Sequence, residues 1–182
     1  AAVATEIRRR WASRPVSVLC GPGNLVGDGF VIARLLKAAG WPVTVALSGD
    51  PNALRGEARL NAERWDGEIL PLSIDVLDGA GLYIDAIFGA GLARPLDGIV
   101  LDVIKRIGET DIPCIAVDIP SGIHGDTGMV LGGAAPADLT VTFFRRKPGH
   151  LLMPGRSRSG EVVVADIGIP ANVLEEIAPQ TF

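Results

Sequence analysis

The residues best able to do chemistry in this 182-residue chain fall in four short stretches: "GPGNLVGDG" at 21–29, "GAGLARPLDG" at 89–98, "DIPSGIHGDTG" at 118–128 and "RRKPG" at 145–149. In the first, Gly21, Gly23, Gly27 and Gly29 lie between an apolar run and an amphipathic one. Amide N–H groups at a helix N-terminus suit a phosphate. Gly21 and Gly23 open like the dinucleotide fingerprint G-x-G-x-x-G, but Val26 holds the sixth place and the glycine comes one later, at Gly27. The nearest acid after the second strand is Asp50, and no Gly-Lys-Ser/Thr follows the loop. Without a ligand the stretch reads as a tight strand-to-helix turn, with Asp28 as a first-turn or N-cap residue.

The other three stretches carry acids and bases. Asp85 stands inside the apolar run 82–88. A carboxylate buried in a strand is expensive unless it is paired or bound to a cation. Gly89 and Gly91 free the backbone beyond it, and Arg94 can grip a phosphate with two parallel hydrogen bonds. Asp118 ends another apolar run, Pro120 stops the ladder, and Ser121 offers an oxygen. A carboxylate at the end of a strand, in a cleft, is a reasonable general acid or base. Asp126 reads as a turn residue. Arg145, Arg146 and Lys147 either meet phosphate or form a solvated loop. Ser121 lacks a nucleophile elbow, and His124 and His150 carry no local cue as a base.

The elements that position these stretches follow from hydrophobic pattern. Apolar runs at 16–20, 43–47, 69–72, 82–88, 112–117, 139–144 and 161–166 read as strands. Helices are expected at 28–39, 52–65 and 98–106, the first with Ile32, Leu35, Leu36 and Ala39 on one face and Gly40 as its stop. The central strands are continuously apolar, as buried parallel strands are. The expected fold is α/β: a three-layer α/β/α sandwich, Rossmann-like, with a mostly parallel central sheet. Ligands bind such sheets beyond the carboxyl ends of the strands, where all four stretches lie.

Bulk composition excludes several classes. The length suits one domain, and 48% hydrophobic against 21% charged residues excludes disorder. A net charge of −4 gives no footprint for nucleic acid, and the Arg8-Arg9-Arg10 run reads as a solvated helix face. No apolar run approaches the roughly 18 residues of a membrane span, and the start lacks the order of a signal peptide. Cys20 and Cys114 lie in apolar runs, as buried reduced thiols, which suits a cytoplasmic protein. The histidines have no Cys or His neighbours at ligand spacing, which argues against zinc. The chain begins inside a helical pattern and ends without a closing element, so it reads as a segment cut from a longer polypeptide.

Taken together, "VLCGPGNLVGDGFVIARLL", "IDAIFGAGLARPLDG", "AVDIPSGIHGDTG", "ADLTVTFFRRKPGHLLMPG" and "GEVVVADIGIP" resemble, in order and spacing from about residue 2 to 170, the YjeF N-terminal domain family of NAD(P)HX epimerases. The resemblance implies one such domain over residues 1–182, its N-terminal helix incomplete, followed in a longer bifunctional chain by an NAD(P)HX dehydratase, fused or as partner. It implies an isomerase that interconverts the R and S forms of hydrated NADH and NADPH for nucleotide repair, a homodimer, and a potassium ion. Asn24, Leu25, Val26, Gly27 and Asp28 would line the nucleotide site. Gly89, Ala90, Gly91, Leu92, Ala93, Arg94 and Pro95 would hold the phosphates, and Asp118 would be catalytic at the hydrated nicotinamide. Asp85 and Ser121 would ligate potassium, with Leu25 at the third ligand position.

At that position the chain departs from the family pattern Gly-Asn-Asn-Gly-Gly-Asp-Gly. Leu25 replaces an amide oxygen, and leucine cannot ligate a hard cation. Val26 replaces a glycine, and its β-branched side chain resists φ > 0. The chemistry is accessible: the hydrated carbon neighbours the ring nitrogen, and an acid that protonates the departing hydroxyl and returns water to the other face would epimerise it. The alternative reading is a nucleotide-binding or scaffolding module of the same fold with weakened catalysis. The poor fingerprint speaks against a conventional dehydrogenase.

Overall fold

The computed structural model describes residues 1–168. Its strands are β1 (Val16–Cys20), β2 (Val43–Leu47), β3 (Ile69–Pro71), β4 (Leu82–Ala86), β5 (Cys114–Val117), β6 (Leu139–Phe143) and β7 (Glu161–Ala165). They form one sheet in the order β3-β2-β1-β4-β5-β6-β7, with every neighbouring pair parallel. The helices are α1 (Ala2–Arg10), α2 (Val26–Ala38), α3 (Gly56–Glu63), α4 (Gly98–Gly108) and the single turn α5 (Gly155–Arg158).

The sheet buries both faces, and alternate strand residues go to opposite layers. Val16, Val18 and Cys20 of β1 pack with Ile7 of α1 and with Phe30, Ala33 and Leu36 of α2. Leu19 and Tyr83 face the other way, onto Val103, Ile104 and Ile107 of α4. Full burial of each such Leu, Ile or Phe contributes about 1.5–3 kcal/mol. Both clusters together make the three-layer sandwich expected from the sequence.

Where the elements differ from expectation, a local cause is visible. The helix expected at 52–65 splits into a short 3₁₀ turn, Pro51–Ala53, and α3. Asp50 caps the turn by accepting from the Asn52 N–H at 2.8 Å, and Gly56 has φ +55, which a continuous right-handed helix cannot hold. β4 stops at Ala86 because side chains capture the next two amides: Ile87 N–H donates to Asp85 Oδ1 and Phe88 N–H to Ser121 Oγ. β5 starts at Cys114, since Pro113 has no N–H for the ladder. On α2 the buried face is Phe30, Ile32, Ala33 and Leu36, while Leu35 and Ala39 are exposed. Gly40, at φ +82, ends that helix as expected. The last two residues of the final motif, Ile169 and Pro170, lie outside the described residues.

Candidate active site

Strand order places β1, β4, β5 and β6 side by side, so the loops leaving their carboxyl ends converge. Leu19, Asp85 and Ala116 are in register across three strands, which sets Asp85 at the centre of the sheet, one residue before the end of its strand. The first loop lies directly on the second. Gly21 N–H donates to Ala86 O at 3.3 Å, and a Cβ on Gly21 would stand 2.0 Å from Ile87 O, so only glycine permits the approach.

Beyond Gly21 the chain turns straight into α2. Leu25 is already right-handed, at φ −68 and ψ −18, and Val26 begins the helix. The expected conflict between Val26 and a left-handed backbone therefore does not arise. Val26 is fully buried in the core, with Gly27 buried beside it, and Asp28 is exposed in the first turn. These three do not line the cavity at the strand ends.

That cavity, about 610 Å³, is lined by Asn24, Leu25, Gly89, Ala90, Gly91, Leu92, Ala93, Arg94 and Asp118, among others. Pro95 lines a smaller hollow of about 110 Å³, which shares Leu92 and Arg94 with the first. Gly89 keeps the centre open: a Cβ there would meet Asp118 Oδ2 at 2.9 Å and Leu25 Cδ1 at 3.2 Å. Asp118 and Leu25 thus face the same point from two sides.

Asp118 is held at every polar atom. Its φ is +70, in the left-handed region, which costs a non-glycine residue about 1–2 kcal/mol. Its N–H donates to Val141 O at 2.8 Å. Carboxylate Oδ2 accepts from Ala90 N–H at 3.0 Å, while Oδ1 accepts from Thr142 Oγ1 at 3.0 Å and from the Lys147 ammonium. Burial alone would raise the Asp118 carboxyl, but the Lys147 hydrogen bond and charge, with the Ala90 and Thr142 bonds, outweigh it and hold the group below the usual carboxylate range.

His150 completes this corner. It is 3% exposed. Its Nδ1 accepts from Lys147 N–H at 2.9 Å, so the ring proton sits on Nε2, which donates to Asp118 O at 2.8 Å. Burial holds the imidazole below its usual pKa, which favours this neutral form. His150 is a strut that ties the turn after β6 to the backbone of Asp118.

Asp85 lies deeper, 2% exposed. Its Oδ2 accepts from Ser121 N–H at 2.7 Å, and its Oδ1 from Ser121 Oγ at 2.5 Å and Ile87 N–H at 3.3 Å. Ser121 Oγ in turn accepts from Phe88 N–H at 2.9 Å. Burial pushes the Asp85 carboxyl up, against the smaller opposing effect of these neutral donors. Asp85 and Ser121 can offer oxygens to a cation, but Leu25 offers none. Among the described residues no buried side-chain N or O lacks a partner, and no three His, Cys, Asp or Glu side chains cluster as metal ligands. As they stand, the three positions do not fit a potassium ion, which needs several oxygens.

The sequence offers Lys147 only a phosphate or a solvated loop and gives His150 no role, whereas the structure brings both to Asp118. Of the basic trio, Arg145 lies over the Phe144 ring at 5.5 Å and Arg146 donates to Val162 O at 3.1 Å. Only Lys147 turns inward, 29 residues along the chain from its partner Asp118. His124 stays local, its Nδ1 accepting from Asp126 N–H at 3.2 Å in the turn expected there.

Three comparisons place this architecture among known proteins. The model of a family described as "YjeF-related protein N-terminus" matches residues 1–149. An NAD(P)H-hydrate epimerase of Limosilactobacillus fermentum is 43% identical over 157 residues, covering 85% of this chain and 76% of that one. A bifunctional NAD(P)H-hydrate repair enzyme of Thermofilum pendens is 42% identical over 172 residues, covering 88% of this chain and 32% of that one, so the present chain spans about a third of the relative's length. The crystal structure of yeast ynu0 superposes with a TM-score of 0.77 at 22% identity, covering 100% of this chain and 80% of that one, which supports the fold. A strand order, a loop set and a family match over most of the chain agree: this chain belongs to the YjeF-related N-terminal family.

Proposed function

We propose that the chain is an NAD(P)H-hydrate epimerase, an isomerase that interconverts the R and S forms of hydrated NADH and NADPH. The observation that carries this reading is Asp118 Oδ2, held by the Ala90 N–H and turned to a cavity that the glycine-rich residues 89–94 also line. The hydrated ring carbon bears a hydroxyl and neighbours the ring nitrogen. Set against Oδ2, it meets a group able to exchange the hydroxyl proton. The loop amides and Arg94 suit the phosphates. An adjoining hollow of about 450 Å³ shares Gly23 and Asn24 and reaches Asp50 and Arg55, which gives room for the second half of a dinucleotide. Asn24 borders both hollows.

The wider reading follows the relatives. A dehydratase, fused or separate, would consume the product. A homodimer is supported by the exposed apolar Leu151, Leu152 and Met153. Two free buried cysteines suit the cytoplasm, and no described helix is long and apolar enough to cross a membrane. Potassium enters no step, because Leu25 leaves its donor set incomplete. Leu25 also favours the second reading, a binding or scaffolding module that keeps the fold without turnover.

The test is the rate at which this chain equilibrates R and S hydrated NADH, against the spontaneous rate. Acceleration that Asp118→Asn abolishes at saturating substrate supports the enzyme. Thermal stabilisation by NADP⁺ without acceleration supports the module.

A further inference from the structure

Lys147 is a charged side chain at the site to which the proposed reaction gives no task. An ammonium has three protons, and all three are committed here: to Asp118 Oδ1, to Thr142 Oγ1 at 2.7 Å and to Phe143 O at 3.2 Å. None is left for a phosphate. The Lys147 side chain is 26% exposed and that of Asp118 12%, so the pair is largely shielded from water. Because Thr142 Oγ1 accepts from Lys147, its own proton goes to Asp118 Oδ1 at 3.0 Å. Oδ1 therefore carries two donors, while Oδ2 carries only Ala90 N–H and points at the open space beside Gly89.

We propose that Lys147 is a positioning residue that makes Asp118 the proton acceptor of the reaction, anchoring Oδ1 so that Oδ2 meets the substrate as a carboxylate oxygen. This rests on the epimerase reading. Oδ2 takes the hydroxyl proton of the hydrated carbon. The carbon–nitrogen bond breaks as the carbonyl forms, and its electron pair goes to the ring nitrogen, which is conjugated with the ring carboxamide. Asp118 returns the proton to that nitrogen. Rotation about the neighbouring carbon–carbon bond presents the other face of the aldehyde, the nitrogen re-adds, and its proton passes through Asp118 to the new hydroxyl. Nothing is oxidised or reduced, no proton is lost, and Lys147 keeps all three of its own. An acid-first route would need a protonated carboxyl, which the ammonium opposes. The other titratable groups whose charge bears on Asp118 are neutral His150, from the same turn as Lys147, and Asp28, at the exposed start of α2, whose carboxyl is pushed up by partial loss of water and by the charge of Asp118.

The experiment compares kcat and KM across pH for the wild type, Lys147→Met, Lys147→Arg and Thr142→Val, with folding checked by circular dichroism. Lys147→Met is expected to lower kcat about 100-fold with little change in KM. Its acid limb should move up by about one pH unit, a tenfold change in proton affinity. Lys147→Arg should restore much of the rate, and Thr142→Val should shift the limb the same way by less. If Lys147→Met does not fold, Thr142→Val carries the test. A change in KM alone, or a lower melting temperature with an unmoved pH profile, overturns the proposal. If the wild type shows no acceleration, the epimerase reading fails instead. The Asp118 carboxyl is then titrated by ¹³C NMR in wild type and Lys147→Met, and an unshifted titration overturns the positioning role by itself.

Discussion

Asp85 and Asp118 stand at the ends of neighbouring strands, and the fold treats their charges in opposite ways. Asp118 has a cation, Lys147, and an oxygen open to the cavity. Asp85 has only neutral donors, no opening, and the full burden of burial. The contrast separates a carboxylate kept for exchange with a ligand from one that clamps two loops together. Asp85 joins the loop after β4 to the loop after β5 through Ser121, and so supports the wall against which Asp118 works.

The sharpest break of this comparison is at Asp118. Asp118→Asn keeps the size of the side chain and tolerates φ +70, since asparagine is enriched in the left-handed region. Turnover should fall about 10²–10⁴-fold at saturating substrate, in protein that circular dichroism shows to be folded. The same substitution at Asp85 should keep most activity per folded molecule. Asp85→Ala should lower stability by about 2–4 kcal/mol, because Ser121 N–H, Ser121 Oγ–H and Ile87 N–H lose their acceptor, and urea unfolding reads this directly.

A subtler test uses pH. The folded pKa of Asp85 is raised, so its contribution is fully present below the unfolded value of about 3.9 and is lost as pH rises through the folded value. The folded pKa of Asp118 is lowered, so its contribution is present above about 3.9 and is lost as pH falls through the folded value. Unfolding curves from pH 3 to 8 should therefore diverge: relative to Asp85→Asn the wild type weakens with rising pH, and relative to Asp118→Asn it strengthens. Parallel curves would erase the distinction between the two corners.

The smallest expected effect is at Leu25. Leu25→Asn places an amide oxygen at the third ligand position that the family resemblance implies. Potassium chloride should raise the melting temperature of that variant by a few degrees over choline chloride, and leave the wild type unmoved. An equal response of the wild type would mean that Asp85 and Ser121 hold the ion without Leu25.

The sequence was most legible where one residue's neighbours decide its state. β1 and β2 match their apolar runs to the residue, and α4 buries Val100, Val103, Ile104 and Ile107 at helical spacing. Asp85 was conspicuous because a charge in an apolar run demands a partner. The Lys147 corner was not, since its bonds to Asp118 span 29 and 32 residues and its local pattern is that of a basic surface loop. The early end of β4 was hidden for the same reason: the amide of Phe88 is taken by Ser121, 33 residues away. Val26 differs from expectation because the glycine of the family pattern suggests φ > 0 there, where this chain begins a right-handed helix.

The floor of the cavity has one further property. The amides of Ile87, Phe88, Ala90 and Lys147 all end on side chains of Asp85, Ser121, Asp118 and His150 rather than on water. Amides in ordinary loops exchange their protons through small local openings, but these can do so only when several loops separate together. In deuterium oxide they should therefore exchange nearly as slowly as the central strands. A ligand then arrives at a surface already set, and its binding should leave the exchange pattern of this floor almost untouched.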